Sequence, residues 1–573
     1  MKRIIYSLLG CAALTGMVSC GYLLAKEDGS GAAFEYRDIY LPDYNKESND
    51  ALNLNTIDLD WGLWGHNLGS ILPDYASKQV FARVNGVIKS DQFCFTSDKL
   101  YDYIVDYIKN RHMFDGSVKF AILPNDNEIV CMCVECRKQG NTKDNATPAV
   151  MYMIERLAEK FPKHQFFTSY YSTTKQLPDR KMPGNTGVLI SAIDYPLSTV
   201  ETKQEKDFIA LIEQWKTKTD KVYVWDYILN YDDYFTPFPV FGIMQRRLKK
   251  YKDAGVTGVF LNGSGADYST FPRLNKMVLA QLLQDPDQDW EELLRRYANE
   301  YYPTAGRDIA EFMIAQERMV SEHGKKLPMY DGVEMARKTY LPEREFVEFY
   351  NKLVKDKKES SGEERKYLET MTEAMALTML ELKRLNHDLE NTQPLKDRLS
   401  RLIDKGTFIY NEGCWSIAKY LDNYTKMEQE AHATAESNLL KGVELHPRTP
   451  LDEDYQDITI VTDGQLGIPS NYHNGNLITS ADPAFSVSVP RVPGMRKLKV
   501  WMVYNPGFKI GLPEEVYLTV DGVKLGSKVP EKPNMGAGHS WLEFDVPSGG
   551  DIILSLKKDP EIKTMAIDEI QAF

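Results

Sequence analysis

The sequence predicts an α/β chain: a (β/α)8 TIM-like barrel, then a helical region, then a C-terminal β-sandwich. Three observations predict it. Over residues 34–285, eight short apolar or β-branched runs alternate with amphipathic helical stretches, the pattern of parallel strands buried on both faces. Over 286–446, Glu, Lys, Leu, Met and Ala dominate, with apolar residues three and four apart, as in 374–385. Over 455–573, short alternating strands such as 497–504, 516–520, 541–546 and 552–556 are separated by Gly, Pro and Asn turns.

The eight predicted barrel strands are 34–40, 57–64, 92–96, 118–123, 165–171, 188–193, 222–227 and 258–262. Predicted helices between them include 98–110, 148–161, 203–217 and 240–254. An open doubly wound sheet is the alternative, but no Gly-rich phosphate fingerprint follows any strand. Residues 447–454 read as a linker to the sandwich.

The N-terminus carries an address. Lys2 and Arg3 precede an apolar stretch, 4–18, that ends Met17-Val18-Ser19-Cys20-Gly21. That stretch is short for a bilayer span and resembles a bacterial lipoprotein signal, with residues 1–20 as signal peptide. It implies a mature N-terminus at Cys20 carrying lipid, a tether over 21–33, and export to a bacterial membrane, the outer membrane in particular. A plain secretory signal is the rival reading.

The chain of 573 residues holds 69 Lys and Arg against 82 Asp and Glu, a formal charge of −13. That acidity argues against nucleic acid as a partner, because phosphate binding needs a basic face. With 33 Tyr, 23 Phe and 8 Trp, the composition is compatible with an oligo- or polysaccharide partner.

In a barrel of this kind, reactive groups lie at the C-terminal ends of the strands. Those ends present Asp126, Asp194 and Asp226, each beside aromatics or in an Asn-rich turn. Hydrolysis of a glycosidic bond uses two carboxyl groups flanking it, one protonated and one ionised. The three aspartates are therefore the candidate catalytic residues. An N-cap to the following helix is the bland alternative for each. The candidate substrate contacts are Arg37, Trp61, Trp64, His66, Asn125, Tyr170, Tyr171, Tyr195, Trp225, Tyr227 and Asn262. Arg37 either clamps an acidic sugar or pairs internally, and His66 is either a hydroxyl contact or a loop donor. Trp61 and Trp64 either line a pocket or fill the barrel end.

Five cysteines follow Cys20: Cys94, Cys131, Cys133, Cys136 and Cys414. The C-x-C-x-x-C run of Cys131, Cys133 and Cys136 fits a disulfide, or a structural zinc if Cys94 or a His completes the set. The expectation is no cofactor, with structural zinc as the alternative.

Several pieces together resemble a family of exported bacterial proteins with an uncharacterised glycosidase-like barrel domain. They are Phe34-Glu35-Tyr36-Arg37-Asp38, Trp64-Gly65-His66-Asn67, Asn125-Asp126 with the cysteine cluster, and Trp225-Asp226-Tyr227 with Pro237-Phe238-Pro239. Gly255-Val256-Thr257-Gly258-Val259-Phe260 and Tyr301-Tyr302 extend the match, which covers about residues 34–310. The barrel is similar to those of α-glucuronidases and β-hexosaminidases. The resemblance implies a glycoside hydrolase-like surface lipoprotein acting on a complex glycan, with Asp126 in the general-acid position and Asp226 or Asp194 as base or nucleophile. The commoner pattern has Glu where this chain has Asp126, and Asn127 separates Asp126 from Glu128. The sandwich resembles galactose-binding-like modules through Val461-Thr462-Asp463-Gly464 and Ala566-Ile567-Asp568-Glu569-Ile570. The alternative function is a non-catalytic glycan-binding lipoprotein of a polysaccharide-utilisation system.

Overall fold

The computed structural model describes residues 31–42, 45–113, 115–324, 326–453, 455–534 and 536–573. The signal peptide, Cys20 and most of the tether lie outside the described residues. The first region contains β1 (Tyr36–Tyr40), β2 (Trp61–Leu63), β3 (Phe81–Val84), β4 (Val87–Phe93), β5 (Lys119–Ala121), β6 (Gln165–Tyr170), β7 (Thr186–Ser191), β8 (Leu197–Ser198), β9 (Lys221–Tyr227) and β10 (Gly258–Asn262). Seven of these form one curled parallel sheet in the order β1-β10-β9-β7-β6-β5-β2.

The expected third barrel strand is absent from this sheet. Residues 87–93 instead pair antiparallel with β3 as a hairpin. The cause is local: Asn85 and Gly86 both adopt positive φ, 50° and 81°, which gives a two-residue turn whose twist suits a hairpin. Nor is a ladder found between the edge strands β1 and β2 among the described residues. The segment leading into β2 meets β1 through other groups. Asn55 donates its amide to the Arg37 carbonyl (2.7 Å), and Asp38 Oδ2 accepts from the Ile57 amide (2.7 Å).

Strand parity sets what each side chain does, because successive residues point to opposite faces. On the concave face, Tyr36, Trp61, Ala121, Phe167, Leu189, Tyr223 and Phe260 form a closed cluster of their own. Gly187 and Gly258 make room for it: a Cβ on either would sit 2.4 Å from the Phe167 ring or 2.7 Å from the Tyr223 ring. The convex face, with Phe166, Val188, Val222 and Val259, packs on the helices. Those helices include Asp98–His112, Thr147–Lys160, Lys203–Lys216 and Phe241–Asp253. Ser97 and Thr202 cap two of them by accepting from Leu100 N and Glu205 N.

The helices from Trp290–Tyr301 to Ile417–Thr434 share that convex core, since Leu294, Tyr340, Met375 and Tyr420 join the same cluster. Between them, β11 (Lys326–Leu327) pairs with β8. The last region contains β12 (His446–Pro447), β13 (Leu477–Thr479), β14 (Ala484–Val489), β15 (Lys497–Tyr504), β16 (Ile510–Gly511), β17 (Glu515–Val520), β18 (Val523–Lys528), β19 (Gly538–Asp545), β20 (Ile552–Lys557) and β21 (Thr564–Ala572). They make two sheets, β12-β14-β20-β17-β18 and β13-β21-β15-β19, with β16 paired to β21. Their core takes in Leu440 and Leu445 as well, so packing of this region begins ahead of residue 455. Among the described residues no helix is long and apolar enough to cross a membrane.

Candidate functional site

A cavity of about 470 Å³ opens at the C-terminal ends of the parallel strands. Concave-face parity builds its floor: Ser169 and Tyr171 continue the side of Phe167, Ser191 that of Leu189, Tyr227 that of Trp225, and Asn262 that of Phe260. Two carboxylates line it, Asp126 and Glu412.

Asp126 stands on the turn after β5. Gln92 accepts from the Asn125 amide (3.0 Å) and donates to the Asn125 carbonyl (3.1 Å) and Asn127 Oδ1 (2.9 Å). The Asn125 and Asn127 side chains both donate to the Asp91 carbonyl, at 2.8 and 2.9 Å. The turn is thus tied on both sides to the hairpin strand β4. Tyr171 OH donates to Asp126 Oδ1 at 3.0 Å. Burial, and then the Asp126 charge, push the Tyr171 phenol well above its ordinary pKa, so it stays a donor. His66 lines the same wall, with Nδ1 2.6 Å from the Pro124 carbonyl; that carbonyl only accepts, so Nδ1 carries the proton.

Glu412 comes from the loop 405–416 between the helices Gln393–Asp404 and Ile417–Thr434. Its amide donates to the Tyr231 carbonyl (2.8 Å), and Tyr231 OH donates to the Asn262 carbonyl at the end of β10 (2.6 Å). Tyr330 OH donates to Glu412 Oε2 at 2.7 Å. Glu412 reaches solvent through the cavity yet is surrounded by protein, and that desolvation raises its pKa. The Tyr330 hydrogen bond opposes the rise, while the charges of Asp232 and Asp126 add to it. The rim is completed by Phe508 and Lys509 from the sandwich region.

Of the residues singled out from sequence, Asp126, His66, Tyr171, Trp225, Tyr227 and Asn262 meet at this cavity. Trp64 stands beside it, 6.2 Å from Trp225 ring to ring, with Nε1 bonded to Asp58. Trp61 fills the concave cluster. The others go elsewhere, mostly by parity. Asp226 points to the convex face, fully buried, where Arg247 Nη1 (2.5 Å) and Tyr251 OH (2.6 Å) bind its two oxygens. Tyr195 lies under the Arg247 guanidinium, 3.7 Å from ring centroid to carbon, and Tyr170 packs on Trp215. Arg37 donates to the Asn53 and Phe34 carbonyls. Asn125 scaffolds its turn, and Asp194 is exposed and paired with Lys175.

Glu412, Tyr330 and Phe508 were not singled out from sequence. The signal for the first was present: Asn411-Glu412-Gly413-Cys414-Trp415 interrupts a helical run with residues that favour turns.

A family model described as Domain of unknown function (DUF4838) matches residues 27–314, just over half of the chain. The chain belongs to this family. The DUF4838 segment carries Asp126 and the floor but ends before Tyr330 and Glu412. No curated relative matches in sequence. Among solved structures, the chain is similar to a family GH115 4-O-methyl-α-glucuronidase with specificity for decorated arabinogalactans. That match has 12% identity, covers 95% of this chain and 81% of the other, and has a TM-score of 0.39. A GH138 enzyme targeting pectin rhamnogalacturonan II matches at 9% identity over 94% of this chain and 87% of its own, TM-score 0.32. A Streptococcus pneumoniae fucose binding module matches 24% of this chain over 97% of its own length, at 14% identity and TM-score 0.18.

Proposed function

We propose that this protein is a glycoside hydrolase-like enzyme acting on a complex glycan at the cavity over the parallel strands. Glu412 is the proton donor and Asp126 the base or nucleophile. The observation that carries this reading is a pair of carboxylates lining one aromatic cavity, with the Glu412 pKa raised by desolvation and then by the charges of Asp232 and Asp126. Cleavage of a glycosidic bond uses one carboxyl group as proton donor and a second as base or nucleophile. Trp225, Tyr171, Tyr227 and Phe508 supply faces for the C–H side of sugar rings, and Asn262, Ser169 and Ser191 supply partners for hydroxyls. The cavity volume falls within the roughly 300–1,000 Å³ usual for small-ligand sites. The assignment replaces Asp226 and Asp194 as partners of Asp126. It goes with export and lipid attachment at Cys20, which would hold the cavity at a bacterial membrane, the outer membrane by preference, against a saccharide partner.

The test is turnover by Glu412→Gln and Asp126→Asn on a panel of complex polysaccharides and aryl glycosides. Each variant should lose about 100-fold or more in kcat while keeping glycan affinity. Glu412→Gln should be the less impaired on glycosides with an activated phenol leaving group, which needs no proton. Full turnover in either variant defeats the assignment. Glycan binding by the unaltered protein with no turnover on the panel favours the non-catalytic, glycan-binding alternative.

A further inference from the structure

Away from the cavity, four sulfurs converge. The Sγ atoms of Cys94, Cys131, Cys133 and Cys136 all lie within 4.8 Å of one another. Cys94 Sγ is 3.7 Å from both Cys133 Sγ and Cys136 Sγ. Four thiolates around zinc at the usual distance of about 2.3 Å sit about 3.8 Å apart, the edge of that tetrahedron. A disulfide needs sulfurs about 2.05 Å apart and joins only two of the four. The group also has the donors that accompany a thiolate site: Arg83 N to Cys131 Sγ (3.3 Å), Cys136 N to Cys133 Sγ (3.4 Å) and Thr96 Oγ1 at 3.2 Å from Cys136 Sγ. Cys94, Cys131 and Cys136 are buried, so four protein ligands would leave no open position.

We propose that Cys94, Cys131, Cys133 and Cys136 bind one structural zinc ion as four thiolates. Binding releases the four thiol protons to solvent, and no electron moves. All-sulfur ligation by a closed tetrahedron suits zinc in a structural role, with iron the other metal that accepts such a set. The site joins two pieces of chain. Cys94 follows β4 directly, two residues after Gln92, which grips the Asp126 turn. Cys131 lies five residues beyond Asp126, and Cys133 caps the short helix Val134–Gln139. One ion therefore fixes the hairpin and the far end of the Asp126 loop against each other. This inference rests on sulfur geometry and stands independently of the glycan reading.

The experiment is metal analysis of the whole protein, purified without chelator. One zinc per chain is expected, released when a mercurial blocks the thiols. After denaturation with EDTA, four further thiols should react with a thiol reagent. The Cys94→Ser/Cys133→Ser double variant should lose the zinc. To separate loss of metal from loss of fold, hydrogen exchange is followed before and after zinc removal: it should rise over 91–96 and 125–140 while β15 and β21 stay protected. Iron in place of zinc, zinc retained by the double variant, or a denatured mass short by two or four hydrogens with no metal bound would each overturn the proposal.

Discussion

Asp226 offers the sharpest test of the site assignment, because sequence position makes it a catalytic candidate and the structure makes it half of a buried ion pair. Both it and Arg247 are fully buried. Asp226→Asn keeps the volume, but removes the charge facing the guanidinium. Arg247 would then be a buried charge facing only neutral acceptors: the new amide oxygen and the Tyr195 and Pro196 carbonyls, at 2.6 and 2.7 Å. Breaking a buried pair from one side costs about 3–5 kcal/mol. Unfolding entropy is about 2.1 cal/mol/K per residue, so for a cooperative body of roughly 400 residues the Tm falls by about 4–6 °C. The companion variant, Asp226→Asn with Arg247→Met, removes both charges. Paired replacement by apolar groups is often neutral. Two carbonyls lose donors at about 1 kcal/mol each, so the double variant should recover about half of the loss. Urea unfolding of the single and double variants reads this directly. A single-variant loss under about 1 kcal/mol, or a double variant no more stable than the single, would refute the ion-pair reasoning.

Two further predictions concern the rest of the chain. Glu317 is buried, accepts from the Phe241 and Gly242 amides, and is pushed up to about 7 by burial. A raised carboxyl holds its proton more tightly when folded, so its contribution is present below about pH 4.5 and lost as pH rises through 7. The shift corresponds to about 3 kcal/mol, and Glu317→Gln should flatten the fall in Tm between pH 5 and 8; an unchanged pH profile would exclude Glu317 as the source. Cys20→Ala should move the protein from the membrane fraction to the soluble one and abolish labelling by a fatty-acid analogue, and membrane retention with unaltered labelling would rule Cys20 out as the anchor.

Much of the architecture was legible because it rests on local patterns. Alternating helices and parallel strands showed as apolar runs, and the sandwich showed as short strands between turn residues. The missed strand was also local: Val84-Asn85-Gly86-Val87 is a hairpin signal, and it diverts residues 87–93 from the sheet. The site was half legible. Asp126, His66, Tyr171, Trp225, Tyr227 and Asn262 meet at the cavity, whereas Tyr170 and Asp226, their neighbours in sequence, point to the opposite face. Counting by twos along β9 separates Tyr223, Trp225 and Tyr227 from Val222, Val224 and Asp226. Glu412 is not legible in the sequence for a different reason. It reaches the strand ends only through tertiary contacts at Tyr231 and Tyr330, and no periodicity in the chain encodes those.

The cavity has a floor from the family segment, an acid from a loop near residue 412 and a rim from the sandwich. A chain ending at residue 314 would keep Asp126 and its tyrosine but have no Glu412, Tyr330 or Phe508. Proteins alike in the first half can thus differ in whether a second acid faces the first, and in what closes over the ligand. Here, what lines and closes the cavity can change through replacements far along the chain while the strands beneath stay as they are.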